Sequence, residues 1–357
     1  MHAGATIVGI EKTPLGRKAL KEKIMLENKT DKKAEFFKKP YVIAVLALFC
    51  CALWGSATPF IKTGYELMLP EKNTASTILF AGIRFTLAGI LTVIIYSVAR
   101  RKVLIPKKES TTKILAVALF QTVIQYVFFY IGLANTSGVK GTVASGSSAF
   151  FALLISALFF KQEKLTLKKI VACILGFAGI IIVNIKGLDF NMNFTGDCFV
   201  IFSTIAYSIS SVLIKKFSKD EDPVTISGYQ FVAGGSFMIL LGLVMGGVVS
   251  VNDLASFGVL LYLSALSAAA YSLWGVLLKY NPVSKVSIYS FMTPVFGVIL
   301  SEIMLTEDSN VSYINLAITL ILVCTGILLI NYKKEPAPVK ETAPAEETEP
   351  KKRGRGR

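Results

Sequence analysis

The chain has 357 residues, 53% of them hydrophobic and only 17% charged, with a formal net charge of +15. A water-soluble domain of this size carries more charge and cannot hide so much apolar surface, which excludes that class. The single histidine, His2, lies in a polar stretch, so no histidine is left inside an apolar run for a metal or acid–base centre.

Residues 1–40 are polar and lysine-rich and lack a short apolar segment with a cleavage site, so they read as a basic cytoplasmic tail. Ten apolar segments follow, at about 41–61, 75–99, 114–133, 139–160, 169–185, 197–214, 225–250, 258–279, 284–305 and 312–332. An α-helix needs about 20 such residues to cross roughly 30 Å of hydrocarbon. The expected fold is an all-α integral membrane protein with ten transmembrane helices. Only KQEKLTLKK, Lys161 to Lys169, separates the fourth segment from the fifth. Residues 333–357 are dominated by Pro, Glu, Ala and Lys, the composition of a disordered tail. Its final KKRGRGR reads as a solvated, orienting end rather than a nucleic-acid site. The five cysteines fall in or beside apolar segments without metal-ligand spacing and read as small buried hydrophobes. No cofactor and no metal are expected.

The charge sorts by side. With the N-terminus inside, 33 of the 38 Lys and Arg residues fall on the inner face. Four, Lys62, Lys72, Lys140 and Lys186, fall on the outer face, and Arg84 lies between. Cytoplasmic loops carry the Lys/Arg excess, so both termini are expected in the cytoplasm of a cell bearing the protein in its plasma membrane.

The sequence also repeats itself. Displaced by 145 residues, Tyr126–Ser156 lies on Tyr271–Ser301, with Tyr126 on Tyr271, Lys140 on Lys285 and Ser145 on Ser290. Displaced by 146, AGIRFTLAG lies on SGYQFVAGG, with Gly82 on Gly228, Phe85 on Phe231 and Gly89 on Gly235. Displaced by 147, GIIIVN lies on GILLIN, ending at Asn184 and Asn331; displaced by 153, WGSATPFIK lies on YSISSVLIK. The halves, 41–190 and 191–332, hold five segments each. Five is odd, so they must be inserted in opposite directions, as two inverted-topology five-helix repeats. Such repeats mark secondary transporters that rock about a site near the midplane.

Across 41–332 the sequence resembles the drug/metabolite transporter superfamily, and within it the EamA family. The resemblance is carried by LWGSATPFIK in the first segment, IRFTLAG in the second, KQEKLT after the fourth and TPVFGVILSEIMLTE in the ninth. It implies a carrier, often an exporter, of amino acids and other small metabolites. The second half departs from the first in having Gln230 opposite Arg84, and Thr306 stands where the family usually has glycine.

Arg84 stands nine residues into its segment, about 14 Å deep at 1.5 Å per residue. A charge at that depth costs roughly 2.5–3.5 kcal/mol on insertion scales and must face protein or a watery cavity. Two readings stand: it ties backbone carbonyls together, or it attracts a substrate carboxylate. Polar stripes on the other segments outline a cavity from Trp54, Ser56, Gln121, Gln125, Tyr126, Ser148, Tyr207, Tyr271, Trp274, Tyr289, Thr293 and Pro294. The stripes of serine equally suit close helix packing, whereas Gln125, Tyr126, Tyr271 and Trp274 are too large for it. Pro294 removes one backbone hydrogen bond, as a static kink or a hinge. Glu302 is the candidate for proton coupling, or else an interfacial carboxylate. No GxxxxGK[ST] phosphate loop is present.

The expected protein is therefore not an enzyme. It takes a small-molecule substrate, works in the lipid bilayer as a monomer or homodimer, and binds no nucleic acid. The rival classes are an intramembrane enzyme and a membrane sensor or anchor.

Overall fold

The computed structural model describes residues 32–185, 188, 191, 193–305 and 312–331. The expectations for residues 1–31 of the N-terminal tail, for the C-terminal tail beyond 331 and for the loop 306–311 lie outside these residues, as does the side chain of Glu302; residues 32–38 of the N-terminal tail are helical.

Helices account for the described architecture: α1 (Pro40–Met68), α2 (Thr74–Arg100), α3 (Lys108–Ala134), α4 (Val139–Phe159), α5 (Leu167–Val183), α6 (Phe194–Phe217), α7 (Pro223–Val244), α8 (Leu254–Tyr280), α9 (Val283–Leu300) and α10 (Tyr313–Asn331). All but α5 are 18 residues or longer and apolar enough to cross a membrane; α5 has 17. The protein is a multi-pass helical membrane protein.

Local chemistry sets the starts. Pro40 and Pro223 open α1 and α7, where a missing N–H is harmless. Asn73, Asp222 and Asp253 accept hydrogen bonds from the first free amides of α2, α7 and α8. The Ser256 amide holds the Asp253 carboxyl below its ordinary range. Helix α1 continues seven residues past the expected end at 61, through Lys62 and Glu66. Lys62 is thus a helical residue rather than a loop residue.

The closest seams are built on glycine. A Cβ on Gly82 would meet the Gly235 carbonyl at 2.9 Å, and one on Gly89 the Gly228 carbonyl at 2.6 Å. Rising numbers on α2 meet falling numbers on α7, so the two helices run antiparallel. In the same way Gly179 of α5 backs onto Thr319 of α10, and Gly326 of α10 onto Ala172 of α5. Small residues let backbones approach where no hydrophobic effect drives helices together.

Loops gather alternately at two ends. At one end Arg100 pairs with Asp222, Asn281 donates to the Phe37 carbonyl, and Glu163 receives the Ser284 amide. At the other, Ser250 donates to the Met68 carbonyl and Asn193 to that of Asn135. Wide π-type turns interrupt α3 at Leu119–Ile124 and α4 at Ile155–Phe159, and a tight 3₁₀ turn interrupts α9 at Ile288–Phe291.

Candidate functional site

Three rings start the site. Trp54 of α1 lies edge-on to Tyr271 and to Trp274 of α8, with centroids 5.1 and 5.0 Å apart. Tyr271 shares a 2.7 Å hydrogen bond with Tyr126 of α3. Tyr126 in turn lies beneath Arg84, whose guanidinium carbon is 5.9 Å from its ring and 4.3 Å from the Phe85 ring. Aromatic faces attract a cation through their quadrupole.

Above this chain of rings is a cavity of about 770 Å³, within the roughly 300–1,000 Å³ range of small-molecule sites. Helices α1, α2, α3, α4, α6, α8 and α9 line it, with Asn184 at the end of α5. Its wall is mostly apolar, with polar groups set into it. It reaches the Asn135 end of the bundle at Leu133, Gly141 and Asn184. Towards the Glu163 end, Trp54 and the buried Trp274, Cys51 and Tyr289 close it. Cys51 donates its thiol to the Tyr289 carbonyl at 3.1 Å.

Arg84 is 3% exposed. Its Nε has no hydrogen-bond partner among the described residues, and the same holds for Trp54 Nε1 and Gln125 Oε1. All three side chains belong to the cavity wall. Tyr65, Tyr126, Tyr130 and Tyr271 line the same cavity as the guanidinium. Among the described lining residues Lys62 and Arg84 are cationic, and none is Asp or Glu.

The structure brings together Trp54, Arg84, Gln125, Tyr126, Ser148, Tyr207, Tyr271, Thr293 and Pro294 around this cavity. The other expected residues lie elsewhere. Ser56 is turned away, donating to the Leu53 carbonyl or bonded to the Tyr262 hydroxyl at 2.7 Å. Gln121 is buried in the π-type turn of α3. Trp274 lies behind Trp54, and Tyr289 lies below the cavity floor, where Asn331 donates to its hydroxyl. Lys62, Tyr65 and Tyr130 are among the cavity residues absent from the expected set. Tyr130 is four residues after Tyr126, one helical turn along the same face, a spacing that could have found it.

A chamber with an apolar wall and inset polar groups, inside a multi-pass helical bundle, reaching one end and closed at the other, is the build of a membrane transporter. The EamA-like transporter family model matches residues 42–185 and again 194–332, and the chain belongs to that family. It is 26% identical to YvbV, an uncharacterized transporter of Bacillus subtilis, over 82% of this chain and 92% of that protein. An uncharacterized transporter of Archaeoglobus fulgidus is 25% identical over 76% of this chain and 91% of its own. A WAT1-related chloroplastic protein of Arabidopsis thaliana is 24% identical over 78% and 67%. A solved crystal structure superposes with a TM-score of 0.67 at 16% identity, covering 81% of this chain and 96% of that one. That last likeness is one of fold alone.

Proposed function

We propose that the protein is a secondary carrier that moves small metabolites, amino acids or related solutes, out across the plasma membrane by alternating access. Its two five-helix halves are oppositely inserted, both termini are cytoplasmic, and the cavity is the outward-facing half of the path. The basic residues gathered at the Glu163 end support this orientation.

The observation that carries the reading is an asymmetry between positions that match in the two halves. Lys62 lines the cavity, whereas its counterpart Lys215 donates to the Leu278 and Asn281 carbonyls at 3.1 and 2.5 Å. Leu133 and Gly141 line the cavity, whereas Leu278 and Val286 are fully buried. One sequence pattern is thus open at one end and packed at the other. Exchanging the two arrangements would close the outer path and open the inner one around the same midplane rings. The antiparallel contacts of α2 with α7 and of α5 with α10 support the opposite insertion.

Closure at the Glu163 end is polar as well as apolar. The Glu163 carboxylate is buried, pairs with Lys169 at 2.5 Å, and accepts from Ser156 and from the Ser284 amide and hydroxyl. It joins the end of the α4 half to the first turn of α9. A carrier must release such a latch to open inward.

Solute flux into proteoliposomes tests the proposal. Flux that saturates with solute, and that Gln125→Ala lowers at least severalfold in a folded protein, is the expected result. Residues 161–169 and 306–311 labelling from the same side of the membrane would overturn the inverted arrangement and the carrier with it.

A further inference from the structure

We infer that the cavity takes a small organic monoanion, a carboxylate without an ammonium group on an apolar body of ring size, and that Arg84 reads its charge. This rests on the carrier reading for transport and narrows its solutes from amino acids to related carboxylates that lack the ammonium, although binding can be measured without it.

Burial of Arg84 sets the requirement. A guanidinium stays charged at every accessible pH, and taking it out of water is strongly unfavourable unless something compensates. Its compensation in the protein is partial. Phe85 and Tyr126 offer ring faces, and Tyr65, Tyr130 and Tyr271 line the same cavity. None of these is a carboxylate, and Arg84 forms no ion pair among the described residues. Its Nε–H is a buried donor without an acceptor. Mutual compensation with an anionic ligand is the arrangement that supplies one, through charge-assisted hydrogen bonds.

The rest of the wall narrows the ligand. Trp54 Nε1 is a second buried donor without a partner. It connects to Arg84 through the contacts Trp54–Tyr271–Tyr126, so both donors belong to one wall. The planar fork of a guanidinium suits the two oxygens of a carboxylate. A phosphate, with three oxygens and up to two charges, asks for more. Gln125 Oε1 is a buried acceptor that suits a neutral hydroxyl or amide. A ligand ammonium would share a low-dielectric chamber with Arg84 and find no carboxylate among the described lining residues. The rings of Tyr126, Tyr130, Tyr207 and Tyr271 favour an apolar, preferably unsaturated body.

Three probes share one ring and nearly one chain but differ in head group: phenylpropionate is an anion, phenylalanine a zwitterion and phenylethylamine a cation. Titration calorimetry on the purified full-length protein should rank them in that order, with phenylpropionate at least about tenfold tighter than phenylalanine. Arg84→Gln should weaken phenylpropionate by about tenfold to a hundredfold and leave the weak binding of the amine unchanged or improved. Arg84→Lys should retain part of the preference, since it keeps the charge and loses the fork. The ranking on the unaltered protein decides the question even if both variants fail to fold. Equal binding of all three, tightest binding of the zwitterion or the amine, or binding of none overturns the inference. Flux in proteoliposomes is scored separately. Anion binding without any flux would sink the carrier reading and leave this assignment standing, and flux of the amine alone would do the reverse.

Discussion

The hydroxyls of Tyr126 and Tyr271 share one hydrogen bond, 2.7 Å long, between residues 145 positions apart. That separation is the displacement that lays one half of the sequence on the other. Phe85 and Phe231, matched at a displacement of 146, are likewise in contact, with rings stacked at 5.1 Å and 10°. In the proposed inverted arrangement, residues that touch their own counterparts lie on or near the axis relating the halves, as at a symmetric dimer interface. The glycine seams have the crossed form of the same rule. Gly82 meets Gly235 and Gly89 meets Gly228, although Gly82 matches Gly228 and Gly89 matches Gly235.

The tyrosine pair should behave as one unit. Either Tyr126→Phe or Tyr271→Phe removes the shared, part-buried bond and leaves the other hydroxyl without that partner, at about 0.5–1.5 kcal/mol each. The double variant should cost clearly less than the sum, because it leaves no orphaned hydroxyl. Unfolding of the four proteins in one detergent measures this. Strict additivity would mean that the bond contributes nothing to stability.

The seam of α2 with α7 sets a second expectation. A methyl on Gly89 would lie 2.6 Å from both the Gly228 carbonyl and the Val232 nitrogen. Backbone cannot yield as a side-chain tip can, so Gly89→Ala should destabilise by about 1–3 kcal/mol through overpacking. At Gly258, near the start of α8, a Cβ would meet nothing within 4 Å. Gly258→Ala should be neutral or stabilising, because alanine is the better helix former. Thermal midpoints of the two variants that move together would contradict the seam.

Much of this was readable in the chain because a bilayer simplifies the code. An apolar run must be a helix, and basic loops mark a side. The matched segments were legible because glycines and tyrosines recur at nearly one displacement, 146 and 145 residues. The end of α1 was hidden by Lys62 and Glu66, which lower the local hydropathy although the helix runs on to Met68. Polar residues are tolerated there because Lys62 turns to the cavity, a tertiary fact that one helix cannot reveal. The misplaced site residues have a common cause. A polar or aromatic stripe in a bundle can face either the cavity or a neighbouring helix, and Ser56, Gln121, Trp274 and Tyr289 took the second course. Arg84 was the clearer signal, since a charge at mid-bilayer has few places to point.

The Glu163 latch yields the last prediction, and two native thiols report on it. Cys50 and Cys51 are fully buried beyond Trp54, on the side of the bundle that Glu163 closes. Opening inward would expose them to a reagent added from the cytoplasm. Glu163→Ala removes the acceptor for Ser156, Lys169 and both polar atoms of Ser284 at once. It should therefore raise the inward-open population. With Cys173, Cys198 and Cys324 replaced by serine, maleimide labelling of Cys50 and Cys51 in inside-out vesicles should become at least severalfold faster than in the same background with Glu163 intact. A saturating transported solute added on the outer side should slow it again if that solute favours the outward-facing cavity. Labelling that stays equally slow after Glu163→Ala, in protein that still unfolds cooperatively, would mean that this carboxylate holds the fold together without holding the path shut.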